Sequence, residues 1–250
     1  MSNKIKKIED TFFIGSHGKV QIQIHNSVEP TPKIAVVFPN DPLQYMGHMD
    51  NPVVKLIANQ FIEQNFTVIK MNYRGIGKSD SRFEGGDKEL ENATFLIDWI
   101  LNTWNRRELW ACGFSYGAWV AMQIMMRRPE INNFLVAAPP CNKYDFSFLS
   151  PCPVSGLIVH GTADSITPVS ALKELTGKSS TKHKRHNIKV KYIEHADHFF
   201  RNRENDLSSA ISDYIKEHTR DANSIKERNK DFDTAKERAK ASNFSKTLNL

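Results

Sequence analysis

Short apolar runs alternate with helical repeats along most of this chain, and that alternation limits its fold more than any other feature of the sequence. The apolar runs occupy residues 34–38, 66–71, 109–112, 134–138, 157–159 and 190–193. Between them, apolar residues recur at helical spacing, as in the stripe Val54, Ile57, Ala58, Phe61 and Ile62. Short continuous apolar runs are typical of strands covered on both faces. Strands that alternate with helices predict an α/β protein with a mostly parallel central sheet and helices on both faces.

The N-terminal segment predicts a different kind of strand pairing. Residues 20–25 alternate apolar and polar side chains, so that the apolar ones share one face. A second apolar segment at 12–14 precedes the turn-like sequence Ser16-His17-Gly18. A period of two marks half-buried strands, and the short turn predicts an antiparallel hairpin. Together with the later runs, the hairpin predicts a sheet of about eight strands.

The chain changes character after His218. Residues 1–218 contain all of the predicted strands and amphipathic helices, whereas residues 219–250 are mostly charged or polar. The triplet Lys226-Glu227-Arg228 recurs in this tail as Lys236-Glu237-Arg238. A chain of 250 residues suits one domain with an appendage. We predict one α/β domain at 1–218 and a charged C-terminal tail at 219–250, helical or disordered, that is available to an unknown partner.

The positive net charge is concentrated in two places rather than spread over a binding face. The chain carries a net charge of +6, and the excess lies in residues 178–191 and in the tail beyond His218. Charge runs of this kind are usually solvated loops and tails. We therefore expect no nucleic-acid partner.

Neither a membrane span nor a secretory signal is predicted from the sequence. No segment approaches the roughly 18 consecutive apolar residues that a span requires. Lys4, Lys6 and Lys7 are followed by no apolar run before Phe12, so the N-terminus does not have the pattern of a secretory signal. We expect a cytoplasmic protein.

Two features that sometimes mark bound groups do not predict one here. The three cysteines, Cys112, Cys141 and Cys152, fit neither a disulfide framework nor a zinc site, although spacing alone leaves a Cys141–Cys152 bridge open. We interpret them as reduced thiols. The segment Gly75-Ile76-Gly77-Lys78-Ser79 ends like a phosphate-binding loop, but Asn72 stands where that pattern requires glycine. Neither a cofactor nor a metal is predicted.

A nucleophile motif lies between a predicted strand and a predicted helix. Gly113-Phe114-Ser115-Tyr116-Gly117 matches the G-x-S-x-G pattern, in which the serine occupies a sharp, strained strand-to-helix turn. Side chains at 113 and 117 would collide across that turn, which explains the two glycines. The turn also directs the backbone N–H of Tyr116, near the start of a helix, toward a reacting oxygen. Ser115 is therefore the predicted nucleophile.

A serine hydroxyl needs a histidine to accept its proton and a carboxylate to hold that histidine. With this motif, the acid and then the base follow the serine along the chain. The strand at 157–159 leads into His160-Gly161-Thr162-Ala163-Asp164, which places Asp164 on a loop before a helix. Asp164 is the predicted acid, and Asp145, in the loop after the preceding strand, is the alternative.

The last strand leads into the candidate bases. The loop after residues 190–193 contains both His195 and His198. His198 lies further into the loop and is the predicted base, whereas His195 is expected to end the strand and stays the alternative. His48 and His160 are interpreted as structural or solvated. Asp197 is interpreted as a loop carboxylate.

These segments resemble the α/β-hydrolase superfamily, in particular the small lidless bacterial serine hydrolases related to dienelactone hydrolases and Xaa-Pro peptidase-like proteins. The matching segments are residues 49–54, Asn72-Tyr73-Arg74-Gly75-Ile76-Gly77-Lys78-Ser79, residues 113–117, Tyr144-Asp145-Phe146, residues 160–164 and residues 197–200. The resemblance covers roughly residues 10–218. It implies the α/β-hydrolase fold and a second oxyanion donor, the backbone N–H of Asn40, beside that of Tyr116.

The expected function is acyl transfer from a small-molecule substrate. Ser115, Asp164 and His198 would cleave a carboxylic ester through an acyl-enzyme intermediate, with Tyr116 and Asn40 forming the oxyanion hole. A peptidase or amidase on the same residues is one alternative, and a non-catalytic binding protein on a hydrolase scaffold is another. Phe146, Phe148 and Leu149 are expected either to line an apolar acyl site or to pack in the core.

Overall fold

The computed structural model describes residues 7–43, 46–104, 108–149, 152–179 and 188–219. The strands are β1 Ile8–Gly15, β2 Gly18–His25, β3 Lys33–Phe38, β4 Thr67–Met71, β5 Glu108–Phe114, β6 Ile131–Ala137, β7 Ser155–Gly161 and β8 Ile188–Ile193. The helices are α1 Pro52–Glu63, α2 Asp87–Thr103, α3 Tyr116–Arg127, α4 Val169–Ser179 and α5 Glu204–Thr219. Strands and helices alternate from β3 to β6 and again from β7 to α5, as the periodicity predicts, whereas no α-helix is described between β6 and β7.

One sheet of eight strands forms the centre of the described structure, in the order β1-β2-β4-β3-β5-β6-β7-β8. The hairpin strands β1 and β2 are antiparallel, and β2 joins the sheet through antiparallel pairing with β4. Every other neighbouring pair is parallel. The predicted sheet, with its N-terminal hairpin, is confirmed.

Helices cover both faces of this sheet, which is why its strands read as continuous apolar runs. Ile34, Val36 and Phe38 of β3 share one buried hydrophobic cluster with residues of α2 and α3. On the opposite face, the Phe61 ring of α1 lies 5.4 Å from the Trp110 ring of β5. The α/β-hydrolase fold expected from the sequence motifs is the one observed.

The start of α1 is fixed by local chemistry. Asn51 is its N-cap, and the side-chain oxygen of Asn51 accepts a hydrogen bond of 2.8 Å from the N–H of Val53. Pro52 occupies the first helical position, where a missing N–H costs nothing because that group has no partner within a helix. This cap holds the first turn of α1 beside the loop that follows β3.

Most element boundaries agree with the sequence patterns, with small differences at the ends. The last strand begins at Ile188, before the predicted 190–193, and ends at Ile193. His195, which was expected to end that strand, lies two residues beyond it in a left-handed conformation with φ of 58°. The connection between β6 and β7 carries one 3-10 turn, Ser147–Leu149, among its described residues.

The chain divides into two units at Asp213, within α5. The sheet and the helices α1 to α4 belong to the first unit, and the second is described only as the helical residues 213–219. The predicted charged tail at 219–250, apart from Thr219, lies outside the described residues. Among the described helices, none combines the length and hydropathy that crossing a bilayer would require.

Candidate active site

The centre of the candidate site is the turn between β5 and α3. Phe114 is the last residue of β5, Tyr116 is the first residue of α3, and Ser115 stands alone between them. Ser115 has φ of 53° and ψ of −117°, a conformation that serine rarely adopts. Strained backbone of this kind persists only where the surrounding structure imposes it.

The two glycines of the motif are explained by close backbone approach. A Cβ atom at Gly113 would overlap the carbonyl of Gly117, which is the collision predicted from the sequence. A Cβ atom at Gly117 would instead overlap the carbonyl oxygens of Phe38 and Pro39, at the end of β3. The turn therefore packs directly on the chain that leads to Asn40.

Three side chains from distant parts of the sequence meet at this turn. Nε2 of His198 lies 2.9 Å from Oγ of Ser115, and Nδ1 of His198 lies 2.8 Å from Oδ2 of Asp164. Relative exposure is 3% for Ser115, 5% for Asp164 and 2% for His198. A carboxylate only accepts hydrogen bonds, so Nδ1 donates and Nε2 is left to accept from the serine hydroxyl. This is the arrangement that proton transfer from Ser115 to His198 requires.

The carboxylate of Asp164 is held by the loop that contains it. Its Oδ1 accepts hydrogen bonds of 2.9 Å and 2.7 Å from the backbone N–H groups of Ile166 and Thr167. These bonds leave Oδ2 directed at His198. Since the two oxygens have separate partners, rotation of the carboxylate would break bonds on both sides.

A second imidazole lies beside the same carboxylate. His160, at the end of β7, is fully buried, and its Nε2 donates to the carbonyl oxygen of Thr167 at 2.9 Å. The same nitrogen is 3.9 Å from Oδ2 of Asp164. Burial lowers the pKa of His160 below its ordinary value, and the Asp164 carboxylate opposes that shift. His160 therefore ties the acid loop to β7 as a neutral side chain.

The alternative acid Asp145 and the alternative base His195 bond to other partners. Asp145 is exposed, and its two oxygens accept from the backbone N–H and the hydroxyl of Ser147. His195 is also exposed, and its backbone N–H donates to Thr162. His48, interpreted from the sequence as structural or solvated, accepts at Nδ1 from the N–H of Asp50. The structure thus brings together the first choices from the sequence and none of these alternatives.

The candidate oxyanion donors are the backbone N–H groups of Tyr116 and Asn40. Tyr116 is the first residue of α3, where a backbone N–H has no partner within its own helix. Asn40 is 1% exposed, and its Oδ1 accepts a bond of 3.3 Å from Nδ2 of Asn51. Just before Asn40, the carbonyl of Pro39 accepts a bond of 2.9 Å from the Tyr73 hydroxyl. The loop after β3 is therefore fixed both by the N-cap of α1 and by the segment that follows β4.

A buried ion pair supports the other side of the turn. Nε of Arg74 lies 3.4 Å from Oε1 of Glu89, and both side chains are almost completely buried. Glu89 belongs to α2, which begins just after Gly86, and the N–H of Gly86 donates to the Tyr116 hydroxyl at 2.9 Å. Arg74 therefore anchors its loop to α2 beside the nucleophile turn.

The three apolar residues for which the sequence left a pocket wall or core packing open belong to the core. Phe146 and Leu149 are buried in the hydrophobic cluster under α3, and Phe148 packs against it. Of the two roles left open by the sequence, packing is the one observed.

All three cysteines, Cys112, Cys141 and Cys152, are free. In the parts of the chain that are described, no cluster of three or more His, Cys, Asp or Glu side chains could hold a metal ion.

Comparisons with known proteins identify a matching family model and a relative of similar length. Residues 53–153 match the family model described as serine aminopeptidase, S33. The chain is 40% identical over 208 residues to the uncharacterized protein RP471 of Rickettsia prowazekii (strain Madrid E), covering 82% of this chain and 87% of that protein.

Solved structures give the same result. A protein of unknown function, ATU1826, a putative α/β hydrolase from Agrobacterium tumefaciens, is 34% identical with a TM-score of 0.81, covering 86% of this chain and 98% of that one. XC6422 from Xanthomonas campestris, an α/β serine hydrolase without lid, is 24% identical with a TM-score of 0.74, covering 84% and 94%. The protein belongs to the α/β-hydrolase superfamily, and the match to the serine aminopeptidase family model supports a hydrolase activity of the serine type.

The environment of His160 predicts a pH dependence of stability. Its pKa is lowered on folding, so between that value and the unfolded value of about 6.5 the unfolded chain binds more protons. The free energy of unfolding should therefore fall as pH drops below about 6.5. A His160→Gln variant keeps an N–H donor for Thr167 but does not titrate, and should lose less stability between pH 7.5 and pH 5. Urea unfolding at both pH values measures this, and parallel losses in the two proteins would contradict it.

Proposed function

We propose that the protein is a carboxylic-ester hydrolase in which Ser115 is the nucleophile, His198 the general base and Asp164 the residue that orients it. The observation that carries this proposal is the bridging position of the His198 imidazole, 2.8 Å from the carboxylate and 2.9 Å from the hydroxyl. Fold stability requires no such chain of groups around a strained serine. The proposed substrate is a small acyl compound.

In the first half of the reaction, Oγ of Ser115 attacks the substrate carbonyl carbon while its proton moves to Nε2 of His198. The new imidazolium is stabilised by the Asp164 carboxylate on its other nitrogen. Negative charge develops on the carbonyl oxygen, where the N–H groups of Tyr116 and Asn40 are proposed to donate. Removing one such donor typically raises the barrier by about 3–4 kcal/mol.

The intermediate then collapses and the carbon–oxygen bond to the alcohol breaks. His198 returns the proton to the leaving oxygen, and the acyl group remains on Ser115. A water molecule, deprotonated by the same imidazole, attacks the acyl carbon in the second half. The carboxylic acid leaves and Ser115 recovers its proton, so that the enzyme is unchanged.

Loss of the nucleophile is the direct test of this proposal. Ser115→Ala removes the attacking oxygen and leaves the buried partners in place, so kcat for p-nitrophenyl acetate should fall by at least about 10³-fold. A fluorophosphonate probe should label the wild-type protein and not this variant. Equal labelling of the two proteins would show that another residue reacts.

Asp164→Asn tests the tautomer of His198. Because Oδ1 is held by two backbone N–H groups, the Asn amide nitrogen would face Nδ1 of His198 and donate to it. The imidazole proton would then lie on Nε2, which could no longer accept from Ser115. We expect kcat to fall by about 10⁴-fold with little change in KM. Steady-state kinetics on the ester measure this, and a variant with nearly wild-type kcat would exclude the proposed role.

A peptidase or amidase is the second candidate, favoured by the serine aminopeptidase description of the matching family model. The ester proposal is preferred for two reasons. An alcohol is a better leaving group than an amine, and cleavage of a small ester does not require the enzyme to bind a peptide chain. A side-by-side assay of p-nitrophenyl acetate and aminoacyl-anilides separates the two. We expect a higher kcat/KM for the ester, and preference for the anilides would support the second candidate.

A further inference from the structure

A cavity of about 480 Å³ lies between the first turn of α1 and the loop that joins β8 to α5. Its apolar lining consists mainly of Pro52, Val53, Leu56, Phe199, Phe200 and Leu207. Pockets of this volume and character are typical sites for small organic ligands. No motif recognised in the sequence predicts it.

Two residues of the cavity lining contact residues of the proposed site. Phe199 follows His198 in the chain, and the Phe199 ring centroid lies 5.2 Å from that of the imidazole. On the other side, the lining residue Asn51 donates to Oδ1 of Asn40, the proposed oxyanion residue. Each of His198 and Asn40 is therefore in contact with a residue that lines the cavity.

The polar groups of Asn51 are already used within the protein. Its Oδ1 accepts from the N–H of Val53, and its Nδ2 donates to Asn40 and to the carbonyl of Met46. The remaining polar lining residues, Arg201 and Glu204, are exposed and charged. The cavity therefore has an apolar interior with charge confined to its exposed side.

The loop that forms one wall is held in a strained shape. Phe200 is fully buried with φ of 55°, which is rare for a bulky residue. Oδ1 of Asp197 accepts from the N–H groups of Phe199 and Arg201, each at 3.0 Å. The Arg201 guanidinium bonds Oδ2 of Asp197 at 3.1 Å and lies 5.3 Å from the Phe199 ring centroid. Asp197 is thus the loop carboxylate expected from the sequence, and it orders this wall.

We propose that this cavity receives an uncharged apolar group of the substrate, carried on either the acyl or the alcohol side of the scissile ester. The inference rests on the proposed esterase function and adds a substrate class to it, namely esters with an extended apolar group. Leu56 is the residue proposed to limit the size of that group, because it is half-buried in the lining.

Leu56→Trp should fill part of the cavity. The matched control is Asn59→Trp, which adds the same indole to an exposed position of α1 that does not line the cavity. Two ester series separate the two sides of the substrate. p-Nitrophenyl acetate to octanoate varies the acyl group, and methyl to hexyl acetate varies the alcohol. Circular dichroism and thermal melting establish that each variant is folded.

In the series that lengthens the group bound in the cavity, wild-type kcat/KM should rise by about fourfold per added methylene until the cavity is full. Leu56→Trp should lower the ratio of kcat/KM for the longest to the shortest ester by about tenfold or more in that series. Asn59→Trp should leave the ratio unchanged. If Leu56→Trp does not fold, Leu56→Ala replaces it and should shift the preference toward longer chains.

Unchanged ratios for the Leu56 variant in both series, with active wild-type protein, would overturn the cavity inference and leave the esterase proposal intact. A wild-type protein that hydrolyses no ester and reacts with no fluorophosphonate would overturn both. The series that responds identifies the side of the ester that the cavity receives.

Discussion

The hydrogen bonds that join Ser115, His198 and Asp164 depend on three loops meeting at one edge of the sheet. Because β5, β7 and β8 belong to the parallel part of the sheet, the loops after them emerge at the same edge. The three side chains are nevertheless brought within hydrogen-bonding distance, at 2.8 Å and 2.9 Å, only by loops of particular shape. The backbone of the nucleophile is strained, so the surrounding packing has to hold it in place.

Much of the polar structure near Ser115 serves to hold those loops. Asp164 is fixed by backbone N–H groups, and the loop around it is tied to β7 through His160. The Arg74–Glu89 pair anchors the segment beside Tyr116. A buried ion pair contributes little net stability, because desolvation of two charges offsets their attraction. The effect of the ion pair is instead to fix the position of the segment beside the nucleophile turn. The apolar cavity between α1 and the β8–α5 loop shares one residue with the surroundings of this polar centre, because the lining residue Phe199 is in ring contact with His198.

Local patterns were sufficient to predict most of the fold. The apolar runs of β3 to β8 and the stripe of α1 are short-range features, so their periods are visible in the sequence. The Gly113–Gly117 motif likewise encodes its own turn. The choices between His195 and His198 and between Asp145 and Asp164 depended on where each residue lies in its loop. Residue spacing predicts the conformation of a loop less well than it predicts a strand or a helix. The contacts of His160 and the core packing of Phe146 involve partners from distant segments, and no local signal distinguishes their roles.

The sequence by itself determined the order of strands and helices, the antiparallel hairpin and the identity of the candidate nucleophile. These follow from residue spacing and from the conformations that glycine permits. Only the tertiary structure decided which histidine and which carboxylate lie beside Ser115, and that a cavity exists between residues 51–56 and 199–207. The reason is physical. Hydrogen-bond geometry and cavity shape depend on the relative positions of segments that are far apart in the chain. The residue spacing within one segment does not determine its position relative to another.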